Sequence, residues 1–160
     1  KPSLVGASTG LVIGLVAITP GAGFVPIWAS MIIGALVSPI CYFFITVVKP
    51  KFGYDDSLDA FGCHGIGGIW GGIATGIFAQ KSINSVAKWD GLIFGETRLF
   101  LRQLAAIGIT IAIAVVGTLL AAGVARLLTG KLHVPVSSED VGLDAAEHGE
   151  SAYPSYLGID

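Results

Sequence analysis

Of the chain's 160 residues only 12% are charged and 53% are hydrophobic, and the mean hydropathy is +0.79. A soluble domain carries about 25% charged residues, so this chain cannot clothe a water-facing surface and reads as a membrane protein, which the charge-free runs below mark as all-α and polytopic. The net charge of −2 excludes the basic footprint of a nucleic-acid binder.

Residue 1 is Lys and an apolar run follows at once. That run is too long for a signal peptide and lacks a small-residue cleavage site. The chain therefore reads as a fragment that begins partway along a larger membrane protein. Residues 2–48 contain no Asp, Glu, Lys or Arg. These 47 residues exceed twice the roughly 20 that cross a bilayer. Two spans are expected, near 4–19 and 27–48, parted at "TPGAGFVP", where Pro and Gly mark a turn. The first span holds Ser8 and Thr9, hydroxyls that in a helix bond back to the carbonyl one turn earlier. It also holds Gly6, Gly10 and Gly14, spaced by four and so on one helix face.

A short charged connection, "KPKFGYDD", leads to a third charge-free run and a span expected at 59–79. Asp56, Asp59 and Ser57 stand where a side chain can accept the helix's first N–H groups, and negative charge suits that end. Seven glycines fall within this span, with Gly68, Gly72 and Gly76 in one row and Gly67 and Gly71 in another. Each costs about 0.8–1 kcal/mol in a helix relative to Ala, so the span needs close packing against neighbours. Glycine stripes permit that approach between membrane helices.

His64 sits in this run and is the sharpest candidate for function. An ionisable residue at membrane depth is expensive and marks a pathway or site. A neutral imidazole offers one donor and one acceptor. It can hold a small polar molecule without net charge, or relay a proton. The bland alternative is a structural histidine bonded to a backbone carbonyl.

A polar connection, "QKSINSVAKWDGLIFGETR", with room for a short helix, leads to the fourth expected span, 99–128. Residues 1–130 thus form a transmembrane region and 131–160 a polar tail with six of the eleven acidic residues. Pattern alone leaves open whether the tail is solvated or docked. The tail side carries Lys1, Lys49, Lys51, Arg126 and Lys131, and the other side Lys81, Lys88, Arg98 and Arg102. This slight excess points to a cytoplasmic tail. Cys41 and Cys63 both lie in apolar runs and form neither a disulfide framework nor a zinc site. No metal or cofactor is expected, and the chain is not expected to be an enzyme.

Three blocks resemble one family. "DDSLDAFGCHGIGGIWGGIATGIFA" is similar to the signature of the ammonium transporters, the Amt/Mep/Rh family. "KPSLVGASTGLVIGLVAITPGAGFV" resembles that family's eighth helix and following turn, and "VGLDAAEHGESAY" its C-terminal tail. The resemblance implies the C-terminal part, helices eight to eleven plus the cytoplasmic tail, of an eleven-helix bundle with the ammonium-transporter fold. It implies a plasma-membrane homotrimer with a narrow apolar pore in each subunit and two histidines midway along it. His64 matches the second histidine; the first lies on a helix outside this chain. The family is built from two inverted repeats, and Asp56 matches the structural acid of the second. Ala60 and Thr9 match positions near the pore wall. Gly142, Leu143, Asp144, His148, Gly149 and Tyr153 match the tail motif that couples subunits. The implied substrate is ammonium, deprotonated so that ammonia crosses the apolar bore, and a PII-type signal protein is an implied partner at the cytoplasmic mouth. Three other readings are an ammonium sensor on the same fold, an unrelated polytopic transporter, and an intramembrane enzyme using His64 as acid or base. The enzyme needs a second reactive group, and neighbouring Cys63 points about 100° away on a helix.

Overall fold

The computed structural model describes residues 3–151; Tyr153 and Lys1 lie outside them. Among the described residues every regular element is helical. The described residues fall into two compact units, one running to Ile111 and the other starting at Ala112.

The first unit opens with α1, Leu4–Ile18. Ser3, in extended conformation, caps it by accepting the Gly6 N–H at 3.1 Å. A tight 3₁₀ turn over Thr19–Gly21 and a left-handed Gly23 (φ 76°) turn the chain within the expected segment. α2 spans Ile27–Phe43 and contains Pro39. It does not stop at residue 48 as expected. A π-helical turn, Phe44–Val48, runs straight into α3, the single turn Lys49–Phe52. The π turn restarts the hydrogen-bond ladder, so Pro50 falls at the start of a new turn, where a missing N–H costs nothing. Gly53, at φ 63°, ends the helix.

After a short irregular stretch comes a second π-helical segment, Phe61–Ile66, continuous with α4, Gly67–Phe78. A plain helix was expected here. The helix Leu4–Gly21, the helix Ile27–Phe52 and the later Arg98–Thr129 are each long and apolar enough to cross a membrane. The glycine-rich helix over 61–78 is not among those three, because its glycines and His64 lower its mean hydropathy.

Helices α1, α2 and α4 pack together around Ile13 and Ala17, Ile33, Val37 and Cys41, and Cys63 and Ala74. α2 contributes one stripe at fourfold spacing, Ala29, Ile33, Val37 and Cys41, all buried. Trp70 lies in this packing, and its Nε1–H donates to the Ile33 carbonyl at 3.0 Å. The two glycine rows of α4 serve different neighbours. A Cβ on Gly67 or Gly71 would meet Val16 or the Ala17 backbone of α1. A Cβ on Gly72 or Gly76 would meet Ile107 or Phe100. The row in α1 behaves otherwise, since nothing approaches Gly10 or Gly14 within 4 Å.

The connection 79–97 carries the expected short helix as one 3₁₀ turn, Leu92–Phe94. Lys81 organises it. Its backbone N–H donates to Asp90 Oδ1 at 2.7 Å, and its Nζ lies 2.7 Å from Glu96 and 3.2 Å from Asp90. The hydrogen bond to Glu96, then that to Asp90, holds the Lys81 ammonium above its ordinary pKa. The backbone N–H of Lys81 holds the Asp90 carboxyl below the usual carboxylate value. Arg102 lies 4.7 Å over the Trp89 ring. α5 then runs Arg98–Thr129, with no buried residue along it.

The second unit includes the end of α5, which stops at Gly130 (φ 72°), and the tail. The tail's described part is folded into α6, Val136–Val141, and a π turn, Asp144–His148.

Candidate functional site

Of the carboxylates that the sequence places ahead of α4, Asp56 and Asp59 are given different tasks by the structure. Asp56 is the cap. Its Oδ1 accepts the Ala60 N–H at 2.8 Å and its Oδ2 the Phe61 N–H at 2.9 Å. One carboxylate thus satisfies two of the donors that a helix start leaves without partners, and its charge suits the positive end of the helix dipole.

Asp59 does not cap with its side chain. Its backbone is left-handed, at φ 53°, the one non-glycine residue so placed among those described. Its carboxylate accepts from Lys49 Nζ at 2.6 Å, and the same Nζ donates to the Asp56 carbonyl at 2.5 Å. Ser57 forms no cap hydrogen bond. Sequence reasoning missed Lys49 because the contact joins residues ten apart across an irregular stretch. The only signal was its place as the first charge after a 47-residue apolar run.

His64 lies in the π-helical segment, one turn past the cap. It is exposed and faces an open groove of about 410 Å³. The groove's walls are Leu4, Val5, Ser8, Thr9 and Val12 of α1, together with Leu58 and Cys63. The structure thus brings His64 and Thr9 together. The Thr9 hydroxyl donates to the Val5 carbonyl at 2.9 Å, as expected of a helical threonine, so its oxygen retains acceptor capacity. Ala60 is not part of the groove wall. It is exposed, and its backbone N–H is taken up by Asp56. The groove can therefore seat a small, mostly apolar guest with one donor and one acceptor at His64 and further hydroxyls opposite.

The tail residues form a separate constellation. Gly142 (φ 99°) ends α6, and its N–H donates to the Ser138 carbonyl at 3.1 Å. Leu143 leads into the π turn that Asp144 begins and His148 ends, and Gly149 (φ 65°) closes it. The two glycines occupy left-handed positions that other residues take up at a cost. Both cysteines are free and buried. Among the described residues no group of three or more His, Cys, Asp or Glu side chains is placed to hold a metal ion.

The sequence profile of the Ammonium Transporter Family matches residues 1–153. An ammonium transporter of Bacillus subtilis (strain 168) is 47% identical over 153 residues, covering 96% of this chain and 37% of the relative. One of Aquifex aeolicus (strain VF5) is 44% identical over 154 residues, covering 96% of this chain and 35% of the relative. The crystal structure of Saccharomyces cerevisiae Mep2 superposes with a TM-score of 0.77 at 33% identity, over 86% of this chain and 31% of that one. The chain spans a little over a third of the length of these curated relatives. It belongs to the ammonium transporter family.

Proposed function

We propose that the complete protein carries ammonium across a membrane, with ammonia passing along a narrow apolar bore in which His64 is the polar step. The observation that carries this reading is the groove itself. It sets one imidazole, Ser8 and Thr9 among aliphatic side chains, with no acidic residue in the wall. Such a surface favours a small neutral molecule over an ion, because an ion would leave its hydration shell for an apolar wall. The membership of a family named for ammonium supports the choice of substrate.

The finer parts of the reading rest on motif similarity. His64 is one of two facing histidines, the second supplied by a helix outside this chain. Asp56 is the structural acid of the second repeat. The blocks' order supports the C-terminal part of the longer protein, with the tail in the cytoplasm of a plasma-membrane homotrimer. Gly142, Leu143, Asp144, His148, Gly149 and Tyr153 couple neighbouring subunits, and a PII-type protein docks at the same mouth. The left-handed glycines give the tail motif a defined shape suited to such a contact.

The test is His64→Ala in the complete protein, with ammonium uptake and selectivity against a methylated analogue measured in proteoliposomes. Losing one hydrogen-bonding partner of about 1 kcal/mol changes a rate or selectivity ratio about fivefold. Uptake and selectivity that both stay at the unaltered values would overturn the pore role.

A further inference from the structure

Lys49 sits at the end of the second membrane-length helix, yet its ammonium reaches across to the start of the helix that carries His64. It makes two contacts there, with Asp59 Oδ1 at 2.6 Å and with the Asp56 carbonyl at 2.5 Å. The pair is partly shielded, with side-chain exposures of 27% and 32%. Charge-assisted hydrogen bonds of this kind are short and directional.

Three further features converge on the same place. Asp59 is held left-handed at φ 53°, and its carbonyl accepts the Cys63 N–H at 2.8 Å, which starts the winding of the His64 turn. A Cβ on Gly62 would come within 2.5 Å of Ile45, so the π turn after α2 presses on the first turn of the His64 helix. Both segments in contact are π-helical, Phe44–Val48 and Phe61–Ile66. An isolated helix does not choose such winding; it persists where the surroundings impose it.

We infer that Lys49 is a positioning residue for His64. Its bridge to Asp59 clamps the start of the π-helical segment, and the clamp sets the direction in which the imidazole faces the groove. Without the clamp the segment relaxes towards α-helical winding. One residue of slippage turns the imidazole by about 100° relative to the groove. The inference rests on the reading of His64 as the polar step of the bore.

The experiment uses the complete protein in proteoliposomes and reads the ratio of ammonium to methylammonium uptake. The variants are Lys49→Met, Lys49→Arg, Asp59→Asn and His64→Ala, plus the Lys49→Met/His64→Ala pair. Lys49→Met is expected to shift the ratio severalfold in the direction of His64→Ala. Lys49→Arg, which keeps the charge, should return it to within about twofold of the unaltered protein. In the His64→Ala background Lys49→Met should add nothing. Asp59→Asn guards against a Lys49→Met protein that does not fold, because Asn tolerates the left-handed backbone and removes only the charge. It should give the same shift with an unchanged elution profile. A shifted ratio for His64→Ala with an unchanged one for Lys49→Met or Asp59→Asn overturns the positioning role alone. So does an additive effect in the double variant. An unchanged ratio for His64→Ala overturns the pore reading, and the positioning role with it.

Discussion

Asp56 shows how much one side chain can settle at the start of a helix. Its two oxygens hold the amides of Ala60 and Phe61 at 2.8 and 2.9 Å. Replacing it with Ala leaves both donors without partners and is expected to cost about 1–2 kcal/mol of stability. Asp56→Asn keeps one acceptor and should cost about half as much. Hydrogen exchange at Ala60 and Phe61, read beside the melting temperature, checks this, and unchanged exchange at both amides would sink the capping role. At this scale the sequence was informative where a residue contradicted its surroundings. His64 stood out because a polar group in an apolar run is costly, and the acids before it because they precede a helix start. Which acid caps and which pairs was not legible, because the answer depends on the left-handed turn at Asp59. The partners of Lys49 were not legible for the same reason: they are set by how the chain doubles back.

The helices show what spacing can and cannot foretell. A row of glycines every four residues predicts a face that others approach closely, and α4 has two such faces, set against α1 and against the start of α5. The costs of filling them should be graded. At Gly71 a Cβ would collide with the Ala17 carbonyl, and at Gly76 it would lie 2.9 Å from the Phe100 Cα. Backbone cannot step aside, so Gly71→Ala and Gly76→Ala are each expected to destabilise the protein by about 1–3 kcal/mol. At Gly72 the obstacle is the Ile107 Cδ1 at 3.1 Å, the end of a flexible side chain. There the roughly 0.8 kcal/mol gained in helix propensity offsets the strain, and Gly72→Ala should be near neutral. Melting temperatures of the three variants in detergent test the order, and a reversed order would refute the packing argument. The same spacing in α1 has no such neighbour at Gly10 and Gly14 among the described residues. Nor does spacing foretell a π turn, which arises from contact between elements rather than from the residues of one.

Taken whole, the chain keeps little of its apolar surface to itself. α5 buries none of its residues, and large side chains such as Leu11, Met31, Ile113 and Leu119 are more than 60% exposed. Such a surface is stable only against lipid or further protein. The chain is therefore expected to stay with the membrane pellet after alkaline carbonate extraction, whereas a peripheral protein would be released. Recovery in the supernatant would refute the membrane assignment. The class was legible from composition, since scarcity of charge leaves few alternatives to a bilayer. Helices occupy Leu4–Ile18 and Arg98–Thr129, close to the first and last segments that the sequence marks out. Past the second segment Lys49 and Pro50 continue the helix instead of ending it.

The π-helical segment before α4 has a consequence in the currency of sequence length. A π turn stores one residue more than the α-helix it interrupts needs to cover the same rise. Residues 61–66 are thus a place where the chain can lose a residue without moving α4. A one-residue deletion there would be taken up by rewinding. Trp70 and the glycine rows would stay in register with α1 and α2, and the cap and the lysine bridge ahead of the turn would stay in place, while the residues inside the turn, His64 among them, would rotate by about 100° relative to the groove. The same slack that lets the helix aim its imidazole also makes that aim sensitive to a change too small to disturb the packing beyond it.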